Sequence, residues 1–594
     1  MLNLIMQISA EFQEEKIKNK LNKKLSAKKI VWKEKELNKK HILSLAKKFK
    51  LSPIISQLLI ARGVEPENFN NYFDPKIKDI MPDPFVLEDM KLATSKIIDY
   101  KNKKKKIGIF GDYDVDGIVS TAMLGNYFKE IGIDFEYYIP DRIKEGYGPN
   151  QKAFEFLRKK NCELIITLDC GITSVDEINF INKKNVEVII VDHHKQGSVI
   201  PDAFAIINPN KKTDTSGLKN LCAAGVTFFL LVSLNRELKT SDSFKTSIPN
   251  LLEYLDILAL ATICDVVQLD LMNRAFVKQG LKILNNTKNV GLSSLIVESS
   301  IMERITCSHL GFVLGPKINA GGRVGKSKMG ADLLLSDNPE MTGAIAQHLG
   351  EYNKLRKHIE TQVEKEALLK VNPKKNIICV SSKKWHPGVI GIVASKLSEK
   401  FNKPSIVISE DNNLCKASCR SISGFDIGNL VLEAINQKII QSGGGHKMAA
   451  GFNIKKNNIN SLEEFLDKQY GFNNCENVKF YDYNLKLSSI DFNLYDSLEN
   501  FAPFGMGNPQ PKFIIENCII KYCRVVGDYH LTCVIEDIYG NSFKGISFNA
   551  LKNNIYETLL SSTDSTYDAI VVIKKNVWNG DVNLQLQIED IVKN

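Results

Sequence analysis

From residue 107 onward the apolar positions fall in short unbroken runs, IGIF (107–110), LIITL (164–168) and VEVIIV (186–191), separated by stretches with helical spacing. Runs of this length suit strands covered on both faces, hence a parallel sheet with helices on either side. LLEYLDILALATI (251–263) reads as a buried helix closing that region. Upstream, residues 1–30 form a polar extension with helical tendency, and 41–62 have helical apolar spacing broken at Pro53. Residues 339–371 are long, charged and helix-compatible, as a connector between lobes would be. A second β/α pattern follows: NIICV (376–380), a helix over 389–400, SIVIS (405–409) and the Gly-rich SGGGHKMAAGF (442–452). Beyond about 480 only strand-like periods remain, in KFIIENCIIKYCRVV, YHLTCVIED, SFKGISF, YDAIVVIKK and VNLQLQIED, with Asn579-Gly580 as a hairpin signal. Five short strands in so small a span predict an antiparallel barrel or sandwich.

A chain of 594 residues exceeds one hydrophobic core. With 43% hydrophobic and 25% charged residues it is not fibrous or disordered. No window approaches 18 uninterrupted apolar residues, and the opening MLNLIMQISAEFQEE turns acidic too early for a secretory signal. Twelve Cys are scattered without a CxxC pair, which argues against zinc sites and disulfides and predicts a reducing, cytoplasmic setting. The net charge of +10 is concentrated in the first 50 residues, where 14 Lys face five Glu. Such an arm suits an anionic partner such as nucleic acid, or simply a solvated helix in a Lys-rich chain. Because 68 of 78 basic residues are Lys, the ten Arg carry more information: planar bidentate recognition of phosphate needs a guanidinium.

The chemistry is concentrated at strand ends. IGIF runs into Gly111-Asp112-Tyr113-Asp114-Val115-Asp116-Gly117, LIITL into Asp169-Cys170-Gly171, and VEVIIV into Asp192-His193-His194. In an open parallel sheet the carboxyl ends share one edge, where ligands bind. At least five Asp and two His therefore converge, too many carboxylates to ionise together without a cation. Oxygen donors with imidazole suit Mg²⁺ or Mn²⁺, and the ligand number suits two ions sharing a carboxylate. That arrangement acts on phosphate esters or anhydrides.

GDYDVDG, LDCG, VDHH and ALATICDVVQLDLMNR (259–274) resemble the successive motifs of the DHH phosphoesterase superfamily. LGPKINAGGR (314–323), WHPGVIGIVASKL (385–397), SCRSISGFDI (418–427), SGGGHKMAAG (442–451) and PFGMGNPQPKF (503–513) narrow the resemblance to the RecJ single-strand-specific exonucleases, over roughly residues 31–594. The resemblance implies a parallel-sheet DHH domain over 31–290 after a basic extension over 1–30. A helical connector over 291–370 carries LGPKINAGGR, followed by a smaller α/β DHHA1 substrate-binding domain over 371–470 and an OB-like barrel over 471–594. It implies Asp114, Asp116, Asp169, His193 and Asp265 as ligands of two Mn²⁺ or Mg²⁺ ions, with Asp169 shared. His194 is then a stabiliser or proton donor at the scissile phosphate, and Asp112 an orienting group.

The same resemblance assigns the strand's 5′ phosphate to Arg142, Tyr147, Lys317, Arg323, Ser418 and Arg420, and further substrate contacts to Gly444, Gly445 and His446. Lys317 stands where the family commonly has Arg, Gly321 where it has Ala, and Ala417 and Cys419 where smaller Gly-like residues are usual. Trp385-His386 reads as a packed turn. Tyr522, Arg524, Tyr529 and Phe548 are candidate contacts on the barrel, about half of them expected in the core by strand alternation. The expected activity is 5′→3′ hydrolysis of single-stranded DNA to 5′-mononucleotides in recombination and repair, by a monomer whose implied partners are single-strand binding protein and a RecQ-type helicase. Alternatives are another DHH hydrolase, acting on oligoribonucleotides or pyrophosphate, and a non-catalytic DNA-binding scaffold; the latter predicts broken ligand positions, and all are filled.

Overall fold

The computed structural model describes residues 24–240, 248–469, 477–560, 565–578 and 581–594. Most of the basic extension (1–23) and the Asn579-Gly580 turn lie outside the described residues. The chain divides into two units: residues 24–74 with 477–594, and residues 75–469. Among the described residues no helix is long and apolar enough to cross a membrane.

The N-terminal segment supplies strand β1 (Val31–Glu34) and helices Lys39–Phe49 and Pro53–Ala61. The predicted break at Pro53 is real. Ser52 caps the second helix by accepting from Ile55 N (3.3 Å), and Pro53 occupies the first helical position, where its missing N–H costs nothing.

The larger unit opens with the parallel sheet. Strands β2 (Ile107–Gly111), β3 (Phe135–Tyr138), β4 (Leu164–Leu168), β5 (Glu187–Val191) and β6 (Ala205–Ile207) lie in the order β3-β2-β4-β5-β6, all parallel. β2 and β4 are buried along their whole length, as their uninterrupted apolar runs require. From β2 the chain turns to β3 on one side and then to β4 on the other, so the switch point lies between β2 and β4 and opens a crevice at the carboxyl edge. The buried helix is Leu255–Cys264, and the charged connector is one 32-residue helix, Pro339–Lys370.

A second sheet follows, of β7 (Ile378–Ser382), β8 (Ser405–Ser409), β9 (Leu414–Arg420), β10 (Ser442–His446) and β11 (Ala449–Lys455), in the order β10-β11-β9-β8-β7. Helix Ile390–Phe401 packs on it. Trp385 is buried, its Nε1 donating to Glu366 (2.9 Å): a packed turn.

In the smaller unit β12 (Val478–Tyr481) pairs in parallel with β1, so residues 31–74, expected with the DHH domain, belong instead with the C-terminal strands. The reason is chemical as well as topological. Asp590 is fully buried and, besides Ile591 N (2.9 Å), receives Ser26 Oγ (2.5 Å), Trp32 Nε1 (2.9 Å) and Lys28 N (3.2 Å) from the N-terminal segment. After β13 (Tyr483–Asn484), strands β14 (Phe513–Val526), β15 (His530–Glu536), β16 (Ser542–Ser547), β17 (Tyr567–Trp578) and β18 (Asp581–Lys593) run β14-β15-β16-β18-β17, and the β14–β17 pairing closes a five-stranded barrel. β14 leaves β17 after Cys518, and its register with β15 shifts between Lys521 and Arg524, where Tyr522 takes a φ of 54°. Beyond that bulge the end of β14 (522–526) is exposed on both faces, while β15 stays paired with β16 and buries Leu531. Tyr522, Arg524, Tyr529 and Phe548 are all exposed, the first two at this irregular end of β14 and the others just outside β15 and β16, and the alternation that was to bury half of them does not hold.

Candidate active site

The ends of β2, β4 and β5 hand Asp and His side chains to the crevice. After β2, Asp112 N donates to Leu168 O (3.1 Å), which holds the turn on the sheet edge. Asp114 then caps helix Val115–Ile131, accepting from Asp116 N (3.0 Å) and Gly117 N (3.3 Å). A Cβ on Gly117 would lie 2.5 Å from Asp112 O, so only glycine lets the helix start so close to the turn. Asp116, in the first turn of that helix, accepts from Ala223 N (2.6 Å) and Ala224 N (2.9 Å) at the start of helix Ala223–Thr240. Asp169 follows β4 in the left-handed region (φ 63°), and its N donates to Val191 O (3.0 Å). Asp265 enters from the end of the buried helix.

These residues form three clusters, in each of which the donor atoms lie within 4.8 Å of one another: Asp116 with His193 and Asp265, Asp112 with Asp114 and Asp169, and, sharing a member with each of these, Asp169 with His193 and His194. His193 Nε2 lies 3.4 Å from Asp169 Oδ1, so Asp169 borders the first cluster as well. Asp112, expected only to orient its neighbours, stands inside the second cluster, more deeply buried than Asp114. The electrostatics are uncompensated. Burial, then the charges of Asp116 and Asp114, pushes Asp169 well above the carboxylate range. Burial and Asp114 do the same to Asp112, and burial and Asp116 raise Asp265 to about 9. Burial lowers His193, leaving a neutral donor. Asp112 Oδ1, Asp169 Oδ1, His193 Nε2 and Asp265 Oδ2 are buried without a hydrogen-bond partner. Buried oxygens and an imidazole nitrogen left empty-handed, facing one another, fit hard divalent cations.

His194 has a different role. Its Nδ1 lies 2.8 Å from Asp192 Oδ1 and 3.1 Å from the Tyr147 hydroxyl, which also donates to Asp169 O (3.1 Å). Burial opposes charge on this ring, but the Asp192 hydrogen bond and charge outweigh it and raise His194 to about 9. Asp192, buried yet supplied by His194, is correspondingly low, at about 2. Asn208 Nδ2 holds His194 O (2.9 Å) and Asn210 Nδ2 holds His193 O (2.6 Å). The role of Asp192, Asn208 and Asn210 was not read from the sequence, although the latter two follow β6 at the same sheet edge.

Beside the carboxylates lies a cleft of about 590 Å³ lined by Tyr113, Arg142, Arg323, Ser418, Arg420 and the start of helix Ile390–Phe401. Arg323 Nη1 donates to Gly388 O (3.0 Å), and a Cβ on Gly388 would lie 2.3 Å from Arg323 O. Arg420 Nη1 donates to Ser418 Oγ (3.2 Å) and Cys419 O (2.8 Å). Among the described residues no carboxylate forms an ion pair with any of the three arginines. Burial and the neighbouring Arg142, Arg356 and Arg420 lower Arg323 to about 9. Three unpaired guanidiniums and a helix N-terminus together want an anion.

Other expected substrate residues are not brought into this cleft. Lys317 Nζ is paired with Glu298 and Ser299 Oγ (2.7 Å), a contact internal to the connector region. Gly444, Gly445 and His446 run along the exposed edge strand β10; of that glycine run it is Gly443 that borders the cleft. Tyr147 sits with His194 instead.

Comparison with known proteins agrees with this architecture. Residues 106–262 match the model of the DHH family, N-terminal domain, 374–471 the DHHA1 domain, and 481–590 the RecJ OB domain. The single-stranded-DNA-specific exonuclease RecJ of Bacillus subtilis is 31% identical over 95% of this chain and 71% of its own length. The protein of that name from Haemophilus influenzae is 30% identical over 94% and 99%. The crystal structure of RecJ with Mn²⁺ from Thermus thermophilus superposes with a TM-score of 0.80 at 24% identity, covering 95% of this chain and 79% of that one.

Proposed function

From the premise that this chain belongs to the RecJ family of single-stranded-DNA-specific exonucleases, we propose that it degrades single-stranded DNA from the 5′ end, releasing 5′-mononucleotides in recombination and repair. The observation that carries the reading is the adjacency of an unpaired arginine cleft to a buried, unbalanced carboxylate edge. Asp116, His193, Asp265 and Asp169 would hold one divalent cation, and Asp112, Asp114 and Asp169 a second. When bound, Mn²⁺ or Mg²⁺ supplies a polarised phosphoryl oxygen and an acidified water.

The protein's own residues do the selecting. Arg142, Arg323, Arg420 and Ser418 take the terminal 5′ phosphate, which puts the next phosphodiester over the carboxylates. Cleavage on the 3′-oxygen side leaves a new 5′ phosphate on the shortened strand, ready for the same cleft. His194, kept cationic by Asp192 and steadied by Tyr147, faces the scissile phosphate and passes its proton to the departing 3′-oxygen.

The test is a timed digestion with Mn²⁺ or Mg²⁺ of 3′-labelled, 5′-phosphorylated single-stranded DNA, its blunt duplex, a short RNA and pyrophosphate, with Asp169→Ala as control. A ladder shortening from the 5′ end on single strands, abolished by the substitution, is expected. Preference for RNA or pyrophosphate would overturn the substrate assignment, and no turnover at all would overturn the enzymatic one.

A further inference from the structure

Of the three cleft arginines, Arg142 is the one whose guanidinium has no hydrogen-bonded anchor among the described residues. Arg323 is tied to Gly388 O and Arg420 to Ser418 and Cys419 O. Arg142 fixes its backbone through N to Ser327 Oγ (3.3 Å), and the carboxylates flanking it are occupied elsewhere. Asp141 caps Ile143 N and Lys144 N, and Glu145 takes Asp141 N, the Tyr138 hydroxyl and Asn150. What its guanidinium does meet is the ring of Tyr113, 4.8 Å from carbon to centroid.

Tyr113 is unusually well placed for this contact. It stands between Asp112 and Asp114, so its backbone is held by the same bonds that fix two of the candidate cation donors. On the opposite side it packs against the helix bearing Arg323: a Cβ on Gly322 would be 3.5 Å from Tyr113 O and 3.9 Å from its Cβ, ordinary contact. The ring is half-buried and lines the cleft. One residue thus joins the cation edge to the anion cleft. A guanidinium lying on an aromatic face keeps its N–H fork directed outward in the ring plane's neighbourhood, free for a phosphate, and loses less freedom on binding than a solvated one.

We propose that Tyr113 is a positioning residue that holds Arg142 in place for the strand's terminal phosphate, and so sets how strictly the enzyme demands a 5′-phosphorylated end. The inference rests on the 5′-exonuclease reading above. Its specific content is that the ring, not the hydroxyl, does the work.

The test compares wild type, Tyr113→Phe and Tyr113→Leu on matched 5′-phosphorylated and 5′-hydroxyl single strands, with Arg142→Gln alone and combined with Tyr113→Leu. Tyr113→Leu should raise KM for the phosphorylated strand roughly 3- to 30-fold, leave kcat within about twofold, and barely affect the hydroxyl strand. Tyr113→Phe should retain the wild-type preference. In the Arg142→Gln background the leucine change should add nothing. Equal losses on both strands, or a full effect of Tyr113→Leu on top of Arg142→Gln, would overturn the proposal. A second readout is equilibrium binding of the two oligonucleotides in EDTA, which needs no catalysis. If wild type prefers the phosphate there and Tyr113→Leu does so equally, the positioning role fails while the end-recognition reading stands. If wild type itself shows no preference in either assay, both fall.

Discussion

Asp192 and His194 form the shortest fixed link between the sheet and a movable proton: Oδ1 and Nδ1 are 2.8 Å apart, with Asp192 fully buried at the end of β5. Asp192 also accepts from the backbone N of His193, His194 and Ile172, so its position is set by the loop it organises. Asp192→Asn keeps the shape and one acceptor oxygen but removes the charge that keeps His194 protonated. The expected result is a kcat reduced roughly 10- to 100-fold with KM little changed, read by steady-state digestion of a labelled single strand.

Divalent cation should act on stability as well as on rate. Without it, burial and mutual repulsion hold Asp112, Asp169 and Asp265 back from ionising, and the cation supplies the missing counter-charge. Saturating Mn²⁺ at 100 times its Kd should therefore stabilise the fold by about 2.7 kcal/mol, a shift of several degrees in a thermal melt. Asp169→Asn should melt no lower than wild type in EDTA, because it replaces a carboxyl whose ionisation the site opposes with a neutral isostere, and should lose most of the Mn²⁺ shift.

Asp256, at the start of the buried helix, offers a pH test away from the reaction. Burial raises it to about 6, although Thr287 and Ile257 N bond its oxygens. A carboxyl raised in the folded state contributes stability at low pH that is lost as pH climbs from about 4 through 6. Asp256→Asn should flatten the dependence of Tm on pH in that window relative to wild type. The differential is about 3 kcal/mol across it.

The exposed end of β14 should contact single strands. Tyr522→Ala should weaken binding of a single strand by about 1–3 kcal/mol, nearly independently of salt. Arg524→Ala should instead lower the slope of log affinity against log salt by about one charge. Fluorescence anisotropy over a salt series separates the two.

The parts of the fold that were legible in the chain are those where burial is two-sided. β2, β4 and β5 announce themselves as continuous apolar runs, and the Asp and His that follow each run land together because parallel strands share one carboxyl edge. The connector helix was equally plain. Hidden from the sequence were relations that depend on tertiary pairing. Lys317, expected to face phosphate, finds Glu298 nearby, in a neighbouring helix. Tyr522 and Arg524 are exposed at a register shift in β14, whereas Tyr529 and Phe548 lie just outside β15 and β16, where strand alternation does not apply. The attachment of β1 to β12 joins segments that no local pattern could connect.

That last attachment has a bearing on how the chain is made. Ser26 meets Asp590 across a separation of 564 residues, and the unit they belong to brackets the larger one in sequence. A ribosome adding about 5–20 residues per second needs roughly half a minute to two minutes to deliver the second partner after the first. Meanwhile the larger unit, continuous in sequence, can complete its own sheets. Ile30, Val31, Leu58 and Leu59, buried in the finished protein, spend that interval without their cover. The N-terminal segment is thus the stretch of nascent chain most in need of a chaperone, and the barrel is the last part of the molecule to become whole.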